Sequence, residues 1–182
     1  MADVVRRVVE ELDGSGLPYA FGGALALAAW SEPRATADVD VIVWATEERW
    51  PEVVSIIRRA GVVLDPDVAL VRARERGMFA GMAGPIRVDV FVPSIPFYDE
   101  AERRRVRTSV LDRQTWVHSA EVLAVFKMLF FRPKDLVDLA RMLEVRGADF
   151  DRAFVRRSLV EMLGEDDERI PKWDALCTGA TG

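Results

Sequence analysis

Val39-Asp40-Val41-Ile42-Val43-Trp44 is an apolar, β-branched run with one aspartate inside it and a second, Asp38, at its head. Such a run reads as a largely buried strand. Residues two apart in a strand project from one face, so Asp38 and Asp40 point the same way. Two carboxylates held this close repel each other, and burying either is costly unless a cation neutralises it. Oxygen-only ligands of this kind suit Mg²⁺ or Mn²⁺ rather than zinc. A fold built round this strand must leave that face in water or offer it to a divalent cation. Taken alone, the pair fits a solvated strand end equally well.

Two further features bear on that choice. Tyr19–Phe21 reads as a short strand running into Gly22-Gly23, with an Ala/Leu-rich helix from about Ala24 to Trp30. Glycines that leave a strand and open a helix expose backbone N–H groups at the positive end of the helix dipole, which favours phosphate. A tight turn needing positive φ would use the same residues. In Ile86–Val92, Arg87, Asp89 and Phe91 alternate with Ile86, Val88, Val90 and Val92, which puts Asp89 on the face opposite the valines. Three carboxylates can hold two divalent ions that clamp the attacking and leaving oxygens of a phosphoryl transfer.

The remaining pattern frames this centre. Helices are expected over Ala2–Leu12, from Thr46 as N-cap through Arg59, and over Phe97–Val106 with Asp99/Arg103 and Glu100/Arg104 pairs. Weak strands are expected at Val62–Leu64 and Met78–Met82, and a short one near Thr115–His118. Helices then run over Ala120–Phe131, Lys134–Arg146 and Phe150–Leu163, and a polar, frayed tail follows Gly164. The expected class is α+β: a mixed sheet flanked by helices over residues 1–117, and a C-terminal helical cap over 118–182. With 182 residues, half of them hydrophobic, the chain can bury a sizeable core.

Composition excludes several functions. The net charge of −5 rules out a generally basic nucleic-acid coat. One cysteine, Cys177, excludes an intrachain disulfide framework, and one histidine, His118, excludes a multi-histidine zinc site. No apolar run approaches the ~20 residues of a membrane helix, and Arg6, Arg7, Glu10 and Glu11 break any signal-peptide pattern. A cytoplasmic protein is expected.

Phe21-Gly22-Gly23 followed by Arg34-Ala35-Thr36-Ala37-Asp38-Val39-Asp40-Val41 resembles the signature of the nucleotidyltransferase superfamily. The Arg-x-Thr-x-Asp-x-Asp form looks most like small bacterial toxin–antitoxin and abortive-infection nucleotidyltransferase-like proteins. Lys127, Arg132, Lys134-Asp135 and Asp138 resemble a second segment of those proteins. The resemblance implies that Gly22 and Gly23 contact a nucleoside triphosphate. It implies that Asp38 and Asp40 bind Mg²⁺ or Mn²⁺, and that Asp89 fills the third position as metal ligand or as base for the attacking hydroxyl. Arg34 and Thr36 would support the triphosphate or the loop itself.

Lys127 has its own argument: it is the only charge in Val122–Phe131, a helix apolar almost all round. It either snorkels to the surface or needs an anion, which a triphosphate or Asp135 could supply. The implied reaction moves a nucleoside monophosphate from an NTP, with ATP among the candidates, to a hydroxyl acceptor and releases pyrophosphate. The acceptor could be an RNA 3′ end such as that of tRNA, a partner protein, or an aminoglycoside-type small molecule. The rival is a non-catalytic binding protein acting as antitoxin or regulatory partner. A toxin or antitoxin partner and a homodimer through the apolar cap are both compatible with the pattern. Arg103–Arg105 and Arg107 read as a solvated, salt-bridged helix, and Arg72, Arg74 and Arg76 as a loop or edge strand facing the cleft. His118 reads as structural.

Overall fold

The computed structural model describes residues 1–179, so positions 180–182 of the expected cap lie outside the described residues. The chain opens with α1 (Ala2–Ser15), β1 (Tyr19–Phe21), α2 (Gly23–Trp30) and β2 (Asp38–Val43). There follow α3 (Trp50–Arg59), α4 (Pro66–Arg76), β3 (Met78–Ala83) and β4 (Ile86–Phe91). Next come α5 (Phe97–Arg103), β5 (Val106–Val110) and β6 (Arg113–Val117). Helices α6 (Ala120–Phe130), α7 (Pro133–Arg146), α8 (Arg152–Leu163) and α9 (Arg169–Gly179) complete the described chain.

The six strands form one mixed sheet in the order β3-β4-β2-β1-β6-β5. β2 pairs in parallel with β4 and antiparallel with β1, while β1 meets β6 in parallel. The parallel register sets Asp40 beside Asp89 and Val41 beside Val90. Residues paired in register share a face, so the two carboxylates lie on one side and the fully buried Val39, Val41, Val88 and Val90 on the other. The class expected from the sequence is the one observed. Helix α6, buried along most of its length, packs against α2, α7 and α8.

Several expectations are corrected. The helix from Phe97 stops at Arg103, where Arg104 caps it, and Val106–Val110 is a strand. Its β-branched residues pair with β6 through a hairpin whose turn, Leu111-Asp112, has positive φ at both positions. Arg103 and Arg104 both bind Glu100, so the expected Asp99/Arg103 pair does not form. Arg105 lies off the helix, with its guanidinium 4.6 Å from the centre of the Trp116 ring. Thr46 leads into a short 3-10 turn, Glu47–Arg49, rather than straight into α3. Val62–Leu64 reduces to a single bridge, Val63 to Met82. Arg72, Arg74 and Arg76 sit on α4, and Arg74 pairs with Glu47 at 2.7 Å.

The segment after Gly164 is not a frayed tail. Ile170 and Trp173, one helical turn apart on α9, are buried, and the Trp173 ring lies 6.1 Å from that of Phe150. Burying a side chain of this size stabilises by about 2–3 kcal/mol, enough to dock a segment whose composition is largely polar.

Candidate active site

The turn after β1 brings the site together. Gly22 donates its N–H to the carbonyl of Asp40 at 2.9 Å, which fixes the start of α2 against β2. Gly23 has φ +50°, and a Cβ there would lie 1.8 Å from Asp40 Oδ2. The second glycine therefore answers two needs at once, a left-handed backbone and room for a carboxylate over its Cα. The N–H groups of the first turn of α2 have no partner within the helix.

Asp38 is held from below: its N–H donates to Thr36 Oγ1 at 3.2 Å. Among the described residues the carboxylates of Asp38 and Asp40 have no hydrogen-bond or ion-pair partner. Burial, then Asp89, then Asp38 push the Asp40 carboxyl up to about 6, while Arg132 and Lys134 pull the other way. Asp89 is 14 % exposed and faces the Arg87 guanidinium at 2.8 Å. Among the described residues no three His, Cys, Asp or Glu side chains form a ready-made metal cage. The donor set nonetheless fits a hard divalent cation: two unpartnered carboxylates project from one strand, one of them desolvated and raised for want of a counter-charge.

Behind the carboxylates lies a buried ion cluster. Lys127 is 4 % exposed and donates to Asp138 Oδ2 at 2.7 Å and to Asp135 Oδ1 at 3.4 Å. The ammonium does not snorkel. Asp138 also accepts from Arg34 Nε at 3.1 Å, so Arg34 ties the motif loop to α7. Burial raises the carboxyl of Asp135, but Arg132 and Lys127 outweigh it and hold the group below its ordinary range. Gly22, Gly23, Asp40, Lys127 and Arg132 line one cleft under α6, and neither Asp89 nor the arginines of α4 line it.

The model of the family described as nucleotidyl transferase AbiEii toxin, type IV TA system, matches residues 7–176. The chain belongs to the AbiEii family. An AbiEii-family chain is a nucleotidyltransferase, and the structural neighbours carry the same fold. The solution structure of the antibiotic-resistance factor ANT(2'')-Ia aligns with a TM-score of 0.54 at 17% identity, covering 98% of this chain and 89% of that one. The crystal structure of ANT(2'')-Ia with adenylyl-2''-tobramycin aligns at 0.55 and 15%, covering 99% and 96%. An antigenic nucleotidyltransferase-like protein from Paracoccidioides brasiliensis aligns at 0.52 and 15%, covering 97% and 92%. No curated protein matches the chain. Among the described residues no helix is long and apolar enough to cross a membrane.

Sequence reasoning leaves several cleft residues of this AbiEii-family chain unmarked, Tyr98 and His118 among them. Tyr98 was read only as part of a helix, and His118 only as structural. Both line the cleft, and the available signal was a lone His and a Tyr set in otherwise apolar segments.

Proposed function

We propose that this chain transfers a nucleoside monophosphate from an NTP to a hydroxyl on RNA or on a partner protein, as the toxin of a toxin–antitoxin pair. The observation that carries the reading is the juxtaposition of Asp38, Asp40 and Asp89 on one sheet face with the Gly22-Gly23 turn that opens α2. In this reading residues 1–117 supply the carboxylates and the phosphate-binding turn, and 118–182 supply Lys127 and Arg132.

The backbone N–H groups at the start of α2 hold the triphosphate, assisted by the exposed Arg132 and by Lys134. Lys127 and Arg34 are held by Asp135 and Asp138, and Arg132 shares Asp135 at 2.6 Å, so three cations on two carboxylates position α6, α7 and the motif loop and leave one positive charge, at the exposed Arg132, for the phosphates. Asp38 and Asp40 hold Mg²⁺ or Mn²⁺, and Thr36 braces Asp38. Asp89, on release from Arg87, serves as the third carboxylate and accepts the proton of the attacking hydroxyl at its carboxylate oxygen. A bound divalent ion supplies charge neutralisation at the triphosphate and lowers the barrier to pyrophosphate departure.

An incorporation assay tests this. Wild type and Asp38→Ala are incubated with Mg²⁺, each labelled NTP, total RNA and lysate protein. Label in RNA or protein with wild type alone is expected. Equal label with Asp38→Ala, or none in either fraction, refutes the reading. Tobramycin, the group adenylylated in the ANT(2'')-Ia complex, is included as the small-molecule arm.

A further inference from the structure

A second cavity, of about 200 Å³, opens at the start of β1, the opposite end of that strand from Gly22, and shares no lining residue with the cleft beside Asp40. The end of α1 and the lead into β1 contribute Asp13, Leu17, Pro18 and Tyr19 to it. Arg105, just ahead of β5, and Trp116 of β6 supply the rest of its character. Drug-sized ligands occupy about 300–1,000 Å³, so this space suits a smaller molecule.

Nothing in the fold answers the charge of Arg105. Its Nη1 is buried without a hydrogen-bond partner, and among the described residues it forms no ion pair. Its two predecessors behave differently, since Arg103 and Arg104 both bind Glu100. The Arg105 guanidinium lies instead 4.6 Å from the centre of the Trp116 ring and 5.9 Å from that of Trp44. Ring faces attract a cation by about 1 kcal/mol each, but they do not replace the oxygen acceptors that five guanidinium N–H groups are shaped to meet. Asp13, the carboxylate on the cavity lining, accepts from the Tyr19 hydroxyl at 2.8 Å and does not pair with Arg105. Buried polar atoms are nearly always paired, so an orphaned donor of a charged group beside an open cavity points to a ligand.

We propose that this cavity is a second ligand site, which takes a small organic acid with its carboxylate on Arg105 and its apolar body against Trp116 and Leu17. A guanidinium presents parallel N–H groups at the spacing of a carboxylate's two oxygens. Stacking on tryptophan holds that fork in place, so little freedom is lost when the bonds form. Asp13 sets the charge that is accepted. It repels a second negative charge on the ligand, which favours a monocarboxylate over phosphate. The site stands apart from nucleotidyl transfer and does not depend on that reading.

Titration of the full chain with benzoate, followed at the indole Nε1–H resonance of Trp116 by two-dimensional NMR, tests this. Trp116→Phe identifies the resonance. A saturable shift with benzoate is expected in wild type, with neutral benzamide and inorganic phosphate each binding about tenfold more weakly. Arg105→Gln is expected to weaken benzoate about tenfold, and Asp13→Asn to strengthen it roughly threefold. The comparison of benzoate with benzamide in wild type, and Asp13→Asn, keep the test open should Arg105→Gln misfold. No saturable shift, equal binding of benzoate and benzamide, or unchanged affinity in a folded Arg105→Gln overturns the proposal. A glutamate-rich peptide that binds more tightly than benzoate also overturns it, because the carboxylate then belongs to a protein partner.

Discussion

Gly23 and Asp40 occupy each other's space. In Gly23→Ala the new Cβ would fall 1.8 Å from Asp40 Oδ2, so the carboxylate must swing away from the turn. The left-handed backbone adds about 1 kcal/mol of strain. We expect incorporation to fall to background with only a modest drop in Tm; full activity in the incorporation assay would refute this. Asp40 and His118 also predict opposite responses to acid in the metal-free protein. The Asp40 carboxyl is raised to about 6, so its contribution to stability is full below its unfolded value and is lost as pH rises through 6. His118 is lowered to about 3, so its contribution is full above its unfolded value near 6.5 and is lost as pH falls. In wild type the two offset each other between those limits. Going from about pH 7 to about pH 5 with chelator present, His118→Leu should gain up to about 2 kcal/mol and Asp40→Asn should lose a similar amount. Thermal melts across that range check both signs.

Helices α6 and α7 meet through a charge cluster rather than through apolar contact alone. Asp138 serves two cations, Lys127 at 2.7 Å and Arg34 at 3.1 Å. Removing one member of a buried pair leaves an uncompensated charge and costs about 3–5 kcal/mol. Asp138→Ala should lose that much in chemical denaturation and should also free the loop that carries Arg34 and Thr36. The β5–β6 hairpin offers the opposite case. Leu111 and Asp112 both hold positive φ, at 49° and 62°, which suits Asn-Gly far better. Leu111→Asn with Asp112→Gly should therefore stabilise by about 1 kcal/mol, read as a higher denaturation midpoint with incorporation unchanged.

At the scale of the molecule, the sheet is covered at its carboxylate end by helices that come late in the chain, and α9 buttresses them by contacting α7 and α8. Trp173 is 1% exposed and is the largest of the fully buried side chains. Trp173→Ala should cost about 3–5 kcal/mol. Because Trp173 does not line the cleft, nucleotide affinity at low temperature should stay near wild type. A loss of binding without a loss of stability would contradict this account of α9.

The facing of Asp38, Asp40 and Asp89 was legible in the sequence because strand alternation is local: two residues of spacing decide the face wherever the strand lies. The Gly22-Gly23 turn was legible for the same reason, since it follows from the residues immediately around it, whereas the burial of Lys127 was left open against a snorkelling side chain. Partners were not. Lys127 alone left a triphosphate, Asp135 or the solvent as its answer, and the choice of Asp138 together with Arg34, 104 positions away, follows only from how α7 packs against the motif loop. Strand β5 was hidden by helical i,i+4 charge pairs just ahead of it, and α9 by the polar residues around Ile170 and Trp173. In both cases long-range contact outweighed local propensity. The cleft wall is the clearest instance: Tyr98 comes from α5, His118 from the β6–α6 connection and Phe130 from the end of α6, and only tertiary packing gathers them in one cleft with Asp40.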